Sequence, residues 1–246
     1  MEIEGIDFSE SLKILADRAG VEIEKIDKNR QNERLRLLQL IDESVKFYEA
    51  EMRKNGEVIA YLKKRGMKGE TAKSFGIGYA PAGWRNLYDY LKDKGYSDSE
   101  MEKAGMTVKS AKAQAGYYDR FRSRIMFPIL SASGQAVGFS GRIFGEEGTD
   151  SGGKYINSPQ TVLYDKSAIL YAFDKAKNEI RKKDACVIVE GQMDAVMSHQ
   201  AGAANTVAVS GTALTVEHLK LIKRLTEKLI MAFDKDEAGA RASSKG

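Results

Sequence analysis

The sequence predicts two architectures in series: an α+β unit over residues 1–180, helical to about 105 and mixed α/β from 106, then an α/β unit on a parallel sheet over 181–246. Three observations predict this. Apolar residues recur at helical spacing through roughly the first hundred positions. The texture turns strand-like near Tyr117. The last third alternates short, wholly apolar runs with helical ones, as a parallel sheet covered on both faces requires.

In the first unit, "DFSESLKILADRAG" puts Leu12, Leu15 and Ala19 on one stripe and stops at Gly20, and "ERLRLLQLIDESVKFYEAEM" continues the period for longer. "EVIAYLKKRG" reads as a short helix ending at Gly66, and "SDSE", Ser97 to Glu100, has capping-box spacing. "RIMFPIL" and "QAVGFSGRIF" read as two strands around a tight connection, with Pro128 at an edge or a bulge. From Lys166 the helical period returns, with Ile169, Phe173, Ala176 and Ile180 in one stripe. The second unit reads strand "CVIVEG", helix "MDAVMSHQAG", strand "NTVAVSG", helix "TVEHLKLIKRLTEK" with Leu219, Ile222 and Leu225 inward, and a buried strand "LIMAFD".

Composition narrows the class. No apolar run is long enough to cross a bilayer, and "MEIEGIDFSE" is acidic where a signal peptide is basic and then apolar, so the expectation is a cytoplasmic protein with no membrane partner. The single cysteine, Cys186, excludes an internal disulfide and a cysteine-rich zinc site, and reads as a packed thiol. Net charge is +4, yet Lys109 to Arg142 holds six basic residues against one acidic, Asp119. Such a block suits a polyanionic partner, or forms a solvated face.

Ligands of parallel sheets gather beyond the carboxyl ends of the strands. Here those ends are Glu190-Gly191, Ser210-Gly211-Thr212 and Asp234-Lys235-Asp236. Alternation along a strand points Asp234 and Asp236 the same way. If the first and third strands are neighbours, Glu190 joins them, and Asp194 follows from the next helical turn. Each carboxylate alone has a structural explanation: Asp194 as a charge favoured by a helix dipole, Asp236 as an N-cap. Four together repel unless a cation or a raised pKa relieves them, and an all-oxygen set favours Mg²⁺ or Mn²⁺ over zinc. His199 and His218 fall inside helical patterns and read as packing or surface residues.

"VIVEGQMDAV", "AVSGTALTVEHLKLI" and "MAFDKDEAGARA" resemble the Toprim domain, a Rossmann-like metal-binding fold shared by primases, topoisomerases, recombination mediators and some nucleases. "YYDRFRSRIMFPILSASGQAVGFSGRIF", "KYINSPQTVLYDKS" and "YLKKRGMKGETAKSFGIGYAPAGW" resemble the polymerase core of bacterial DnaG-type DNA primases. The resemblance implies a basic N-terminal core subdomain followed by a Toprim subdomain, and DNA-templated synthesis of short RNA primers from ribonucleoside triphosphates. It implies Glu190, Asp234 and Asp236 as catalytic positions and Glu190, Asp194, Asp234 and Asp236 as the metal set. Asp234 and Asp236 would be the principal ligands, and Glu190 would orient a ligand water or act as base. Single-stranded DNA and nucleotides would meet Arg65, Arg120, Arg122, Arg124, Arg142, Lys154, Asn157 and Lys166.

The sequence departs from that family in two ways. The family begins with a zinc ribbon, for which one cysteine gives no site. It also continues past the D-x-D into more sheet, a helical subdomain and a domain that binds the replicative helicase, whereas this sequence ends ten residues after Asp236. The expectation is a Toprim subdomain truncated at its C-terminus. Two other readings stay open: another Toprim enzyme, such as a topoisomerase or nuclease, and a non-catalytic fragment that binds single-stranded nucleic acid.

Overall fold

The first described helix, α1 (Lys28–Lys54), buries Leu37, Leu40, Ile41, Ser44 and Tyr48, a stripe at the spacing of one helix face. Ser44 satisfies its hydroxyl locally by donating to the Leu40 carbonyl at 2.9 Å. The computed structural model describes residues 28–110, 116–145, 153–211 and 213–233; the helix expected over "DFSESLKILADRAG" lies outside them. Arg36–Gly246 forms one compact unit, and Met1–Leu35 is a second whose described part is the start of α1.

Short helices follow. α2 (Gly56–Lys64) is capped by Asn55, whose side chain accepts the Val58 N–H. Next come α3 (Gly69–Ser74), strand β1 (Gly78–Ala80), α4 (Asn86–Asp93) and α5 (Asp98–Lys103). The capping box forms: Glu100 N–H donates to Ser97 Oγ, and Ser97 N–H to Glu100 Oε2 at 2.7 Å.

Strands β2 (Thr107–Lys109) and β3 (Tyr117–Asp119) pair with each other. Strands β4 (Arg124–Leu130), β5 (Ala136–Ile143) and β6 (Tyr155–Asn157) join β1 in an antiparallel sheet of order β1-β4-β5-β6. β4 is therefore an interior strand, so of the two positions expected for Pro128, an edge or a bulge, the strand order excludes the edge. The proline is tolerated because β1 pairs only with Arg124 to Met126, and the register shifts just beyond, between Ile129 and Leu130.

The predicted helix after Lys166 starts later than its periodicity suggests. Ala172 adopts φ +64° and α6 runs Phe173–Lys183, leaving Ile169 in the preceding turn; Phe173, Ala176 and Ile180 are buried as expected. Strand β7 (Cys186–Val189), helix α7 (Gln192–Gln200), strand β8 (Thr206–Ala208), helix α8 (Val216–Lys223) and strand β9 (Leu229–Met231) complete the described chain. The sheet is parallel with order β8-β7-β9, so the first and third strands are neighbours.

β7 shows why its residues are all apolar. Cys186 and Ile188 face a core made with Phe173, Ala176, Ile180, Val207 and Ile222, while Val189 faces the larger core with Met193, Ala195 and Val196. Burial pushes the Cys186 thiol up to about 12, so it is an inert packing group. Both histidines pack, and burial lowers the pKa of each; His218 is fully buried in α8 while Leu219, expected inward, is 38% exposed. β9 is also not the buried strand expected: Leu229, Ile230 and Met231 are all exposed, because among the described residues it has a neighbour only at β7.

Gly78 marks the closest contact between helix and sheet. A Cβ there would stand 2.6 Å from the Tyr48 carbonyl carbon, a backbone atom that cannot swing aside. Gly78→Ala is expected to destabilise the protein by about 1–3 kcal/mol, seen as a lower urea midpoint with unchanged slope.

Candidate active site

The carboxyl end of β7 places Glu190 at the mouth of the parallel sheet. Its carbonyl accepts the Ser210 N–H at 3.0 Å, and the Ser210 carbonyl accepts the Asn157 amide at 2.8 Å, so β6, β7 and β8 are tied together there. Ser210 holds φ +59°, a strained conformation for a residue with a Cβ. Glu190 Oε1 is sheltered from solvent with no hydrogen-bond partner among the described residues. Asp194, in the first turn of α7, folds back over Gly191, where an added Cβ would lie 2.8 Å from its Oδ2. Asp234 and Asp236 lie outside the described residues. The described end of β9 nevertheless runs beside β7, with Ala232 N–H donating to the Ile188 carbonyl at 2.9 Å.

Cations face these acids. Arg65, Arg142, Lys154, Asn157, Glu190, Asp194 and Ser210 line one cavity of about 430 Å³. Arg142 is fixed by two tyrosines, donating from Nε to Tyr61 Oη at 3.2 Å and from Nη1 to Tyr155 Oη at 3.1 Å. A neighbouring cavity of about 330 Å³ shares Arg142 and Lys154 and adds Tyr61 and Phe144. An oxygen-only acid pair with one unsatisfied carboxylate oxygen fits a hard divalent cation. Three cations in the same cavity fit the phosphates such a cation accompanies.

The remaining predicted residues do not join this cavity. Lys166 is exposed in the turn before α6. Arg124 is fully buried and donates Nη1 to the carbonyls of Gly141 and Gly153, both at 3.1 Å, so it holds β5 to the start of β6 and offers nothing to a solvent-borne phosphate. Arg120 is half-buried, and burial lowers its pKa. Arg122, also half-buried, packs on an exposed ring: its guanidinium lies 4.3 Å from the Trp84 ring centre and 5.2 Å from that of Tyr118, and its Nη1 donates to the Asp119 carbonyl.

That cluster contains residues the sequence reading missed. Trp84 is 61% exposed, edge-on to Tyr118 at 5.3 Å, and stacked against a cation. The signal was present as the only tryptophan of the chain, in a loop beside Arg85. Asp119 organises the cluster from beneath. Its two carboxylate oxygens accept the Leu87 and Tyr88 N–H groups at the start of α4, both at 2.8 Å, and its own N–H donates to the Trp84 carbonyl at 2.7 Å.

Two family models match the chain: DNA primase catalytic core, N-terminal domain, over residues 47–177, and Toprim-like over 187–246. The chain belongs to the DNA primase catalytic-core family. Among curated relatives, the DNA primase of Clostridium acetobutylicum is 36% identical over 251 residues, covering 100% of this chain and 41% of the relative. The chain thus spans about two fifths of the length of the curated relatives it matches. The RNA polymerase domain of Mycobacterium tuberculosis primase DnaG superposes with a TM-score of 0.79 at 36% identity, covering 86% of this chain and 70% of that one. A DnaG primase catalytic domain bound to single-stranded DNA gives 0.75 at 35% identity, covering 87% and 66%. The DnaG-type core and the Toprim-like sheet meet in this primase-family chain at the cavity described above.

Burial pushes the Asp119 carboxyl up to about 6, against the pull of its two backbone N–H donors. A folded pKa above the unfolded one means the folded state holds its proton longer, so this group's contribution falls as pH rises from about 4 to about 6. That displacement corresponds to roughly 3 kcal/mol at most. The stability advantage of the native chain over Asp119→Asn should therefore shrink across that window, as measured by urea unfolding at each pH.

Proposed function

We propose that this chain is the nucleotidyl-transfer core of a DNA primase, a DNA-directed RNA polymerase that copies single-stranded DNA into short RNA primers from ribonucleoside triphosphates. The observation that carries the proposal is the shared cavity of Glu190 and Asp194 with Arg65, Arg142 and Lys154, in a chain of this family. A primer 3′-hydroxyl attacks the α-phosphate of the incoming nucleotide, the new phosphodiester forms, pyrophosphate leaves, and the hydroxyl proton passes to a base or to water. Glu190, Asp194, Asp234 and Asp236 would hold Mg²⁺ or Mn²⁺, which when bound would lower the hydroxyl pKa and offset phosphate charge.

The chain's own groups do the rest. Arg65, Arg142 and Lys154 hold the triphosphate, the arginines through paired donors. Tyr61 and Tyr155 fix the Arg142 guanidinium before substrate arrives, so little side-chain freedom is lost on binding. Asn157 steadies the Ser210 turn at the sheet mouth. Template approaches over the Trp84, Tyr118 and Arg122 surface, where an exposed ring and a stacked guanidinium suit unpaired bases. Arg120 and Lys166 supply charge at the margins, and Arg124 acts as a brace. The setting is the bacterial cytoplasm at the replication fork, with the helicase met through a region outside the matched stretch.

The direct test is ribonucleotide incorporation on single-stranded DNA with and without Mg²⁺. Synthesis should require the metal, and Glu190→Gln or the pair Asp234→Asn/Asp236→Asn should reduce it by roughly 100-fold or more. Retention of normal metal-dependent synthesis in these variants would remove the assignment.

Because Trp84 is the only tryptophan, its fluorescence reports template directly. Single-stranded DNA should quench it, and Trp84→Ala should weaken binding by about 1 kcal/mol or more. Arg122→Ala should both weaken binding and flatten its salt dependence; unchanged emission and affinity would place the template elsewhere.

A further inference from the structure

We infer that Gln200, which does not line the cavity, is the positioning residue for Arg65. Its side-chain amide makes two bonds to one turn: Oε1 accepts the Lys68 N–H at 2.7 Å, and Nε2 donates to the Gly66 carbonyl at 2.8 Å. Both amide ends are satisfied in one orientation, and the flipped orientation would set donor against donor and acceptor against acceptor. The bonds span 132 and 134 positions of sequence, joining the last residue of α7 to the turn that follows Arg65. Arg65 is the C-cap of α2, its own N–H donating to the Tyr61 carbonyl at 3.0 Å. The turn is closed by Gly66 N–H to Lys63 and Met67 N–H to Leu62, which leaves the Gly66 carbonyl free to face α7. Met197, one turn earlier in α7, packs there as well: a Cβ on Gly66 would lie 3.6 Å from its Cε.

α7 therefore serves the cavity at both ends. Its first turn carries Asp194 on the metal side. Its last residue fastens the turn that sets where the Arg65 guanidinium stem emerges. The distance between an acidic and a cationic wall is thus fixed by one rigid nine-residue helix, and Gln200 is the fastening at its far end. A guanidinium placed in advance binds phosphate with less loss of freedom than one on a loose turn.

This inference rests on the reading of the cavity as a polyphosphate site, and the test separates the two. Inorganic pyrophosphate in the presence of Mg²⁺ is titrated calorimetrically into the full chain, into Arg65→Ala, into Gln200→Met, which keeps length but has no amide, and into Arg65→Ala/Gln200→Met. Arg65→Ala should weaken binding about tenfold and Gln200→Met about fivefold, with the double variant no weaker than Arg65→Ala alone. Mn²⁺ affinity, read by electron paramagnetic resonance, should not change in Gln200→Met. Gln200→Glu retains the acceptor for Lys68 and loses the donor to Gly66, so it should also weaken pyrophosphate, and it serves if the methionine variant does not fold. If Arg65→Ala weakens binding while both Gln200 variants match the native chain, the inference fails and the polyphosphate reading stands. If the two losses multiply to about fiftyfold, Gln200 acts apart from Arg65 and the inference likewise fails. If the native chain does not bind pyrophosphate, or Arg65→Ala binds as tightly, both fall.

Discussion

A carboxylate oxygen sheltered from water, with no hydrogen-bond partner among the described residues, is the constraint around which the site is built. Glu190 Oε1 occupies that position at the end of the central strand of a parallel sheet. A buried acceptor left unsatisfied costs about 1–3 kcal/mol, and more when charged. The chain holds it there with bonds on both sides: Ser210 is tied to the Glu190 carbonyl and to Asn157 while held at φ +59°. Backbone strain and a carboxyl oxygen with no partner among the described residues fall in the same few residues, an arrangement a packing residue avoids. The cationic wall opposite, Arg65, Arg142 and Lys154, puts positive charge in the same cavity as the two acids.

Everything that holds the wall in register is apolar or backbone. β7 is covered on one face by α6 and α8 residues and on the other by α7 residues, so its end cannot drift without exposing both cores. Burying a side chain such as Ile188 contributes about 1.5–3 kcal/mol. The antiparallel sheet carries Arg142 and Asn157 on adjacent strands, paired through Arg142↔Tyr155 and Ser140↔Asn157. Two sheets of different type thus present side chains to one space, and the family match likewise divides, one segment ending within α6 at 177 and the other beginning in β7 at 187.

Much of this was legible in the chain. Apolar runs ending in Glu190 and Ser210 gave the parallel sheet and its mouth, and the first strand does neighbour the third. Gly66 and the Ser97–Glu100 box marked helix ends because those signals act locally. What periodicity could not show was burial decided at a distance. Leu219, expected inward, is exposed and His218, expected as a packing or surface residue, is buried, because the α8 stripe is set by the Thr215 cap and the α6 core rather than by hydrophobicity alone. β9 reads as a core strand from composition, yet exposure depends on how many neighbours it has. Trp84 carried no spacing signal at all: its partner Arg122 is far away in sequence and meets it only because Asp119 fastens the two segments together.

The basic block shows the same limit for charge. Three arginines two residues apart in "DRFRSR" suggest one cationic strip, but Ser123 adopts φ +50° between the last two and sends them in different directions. Arg124 goes inward to the Gly141 and Gly153 carbonyls, Arg122 stacks on Trp84, and both Arg122 and Arg120 are half covered. A buried guanidinium is expensive to desolvate, so it persists where the carbonyls it joins must stay fixed. Here one carbonyl is Gly141 in β5, paired with Ile156, and the other is Gly153, one residue before Lys154, so the buried arginine ties down the segment that carries the Lys154 cation to the cavity. The block's charge therefore divides by direction into a buried brace at Arg124, a guanidinium stacked on Trp84 at Arg122 and a cavity-lining group at Arg142. Counting residues reports only its total.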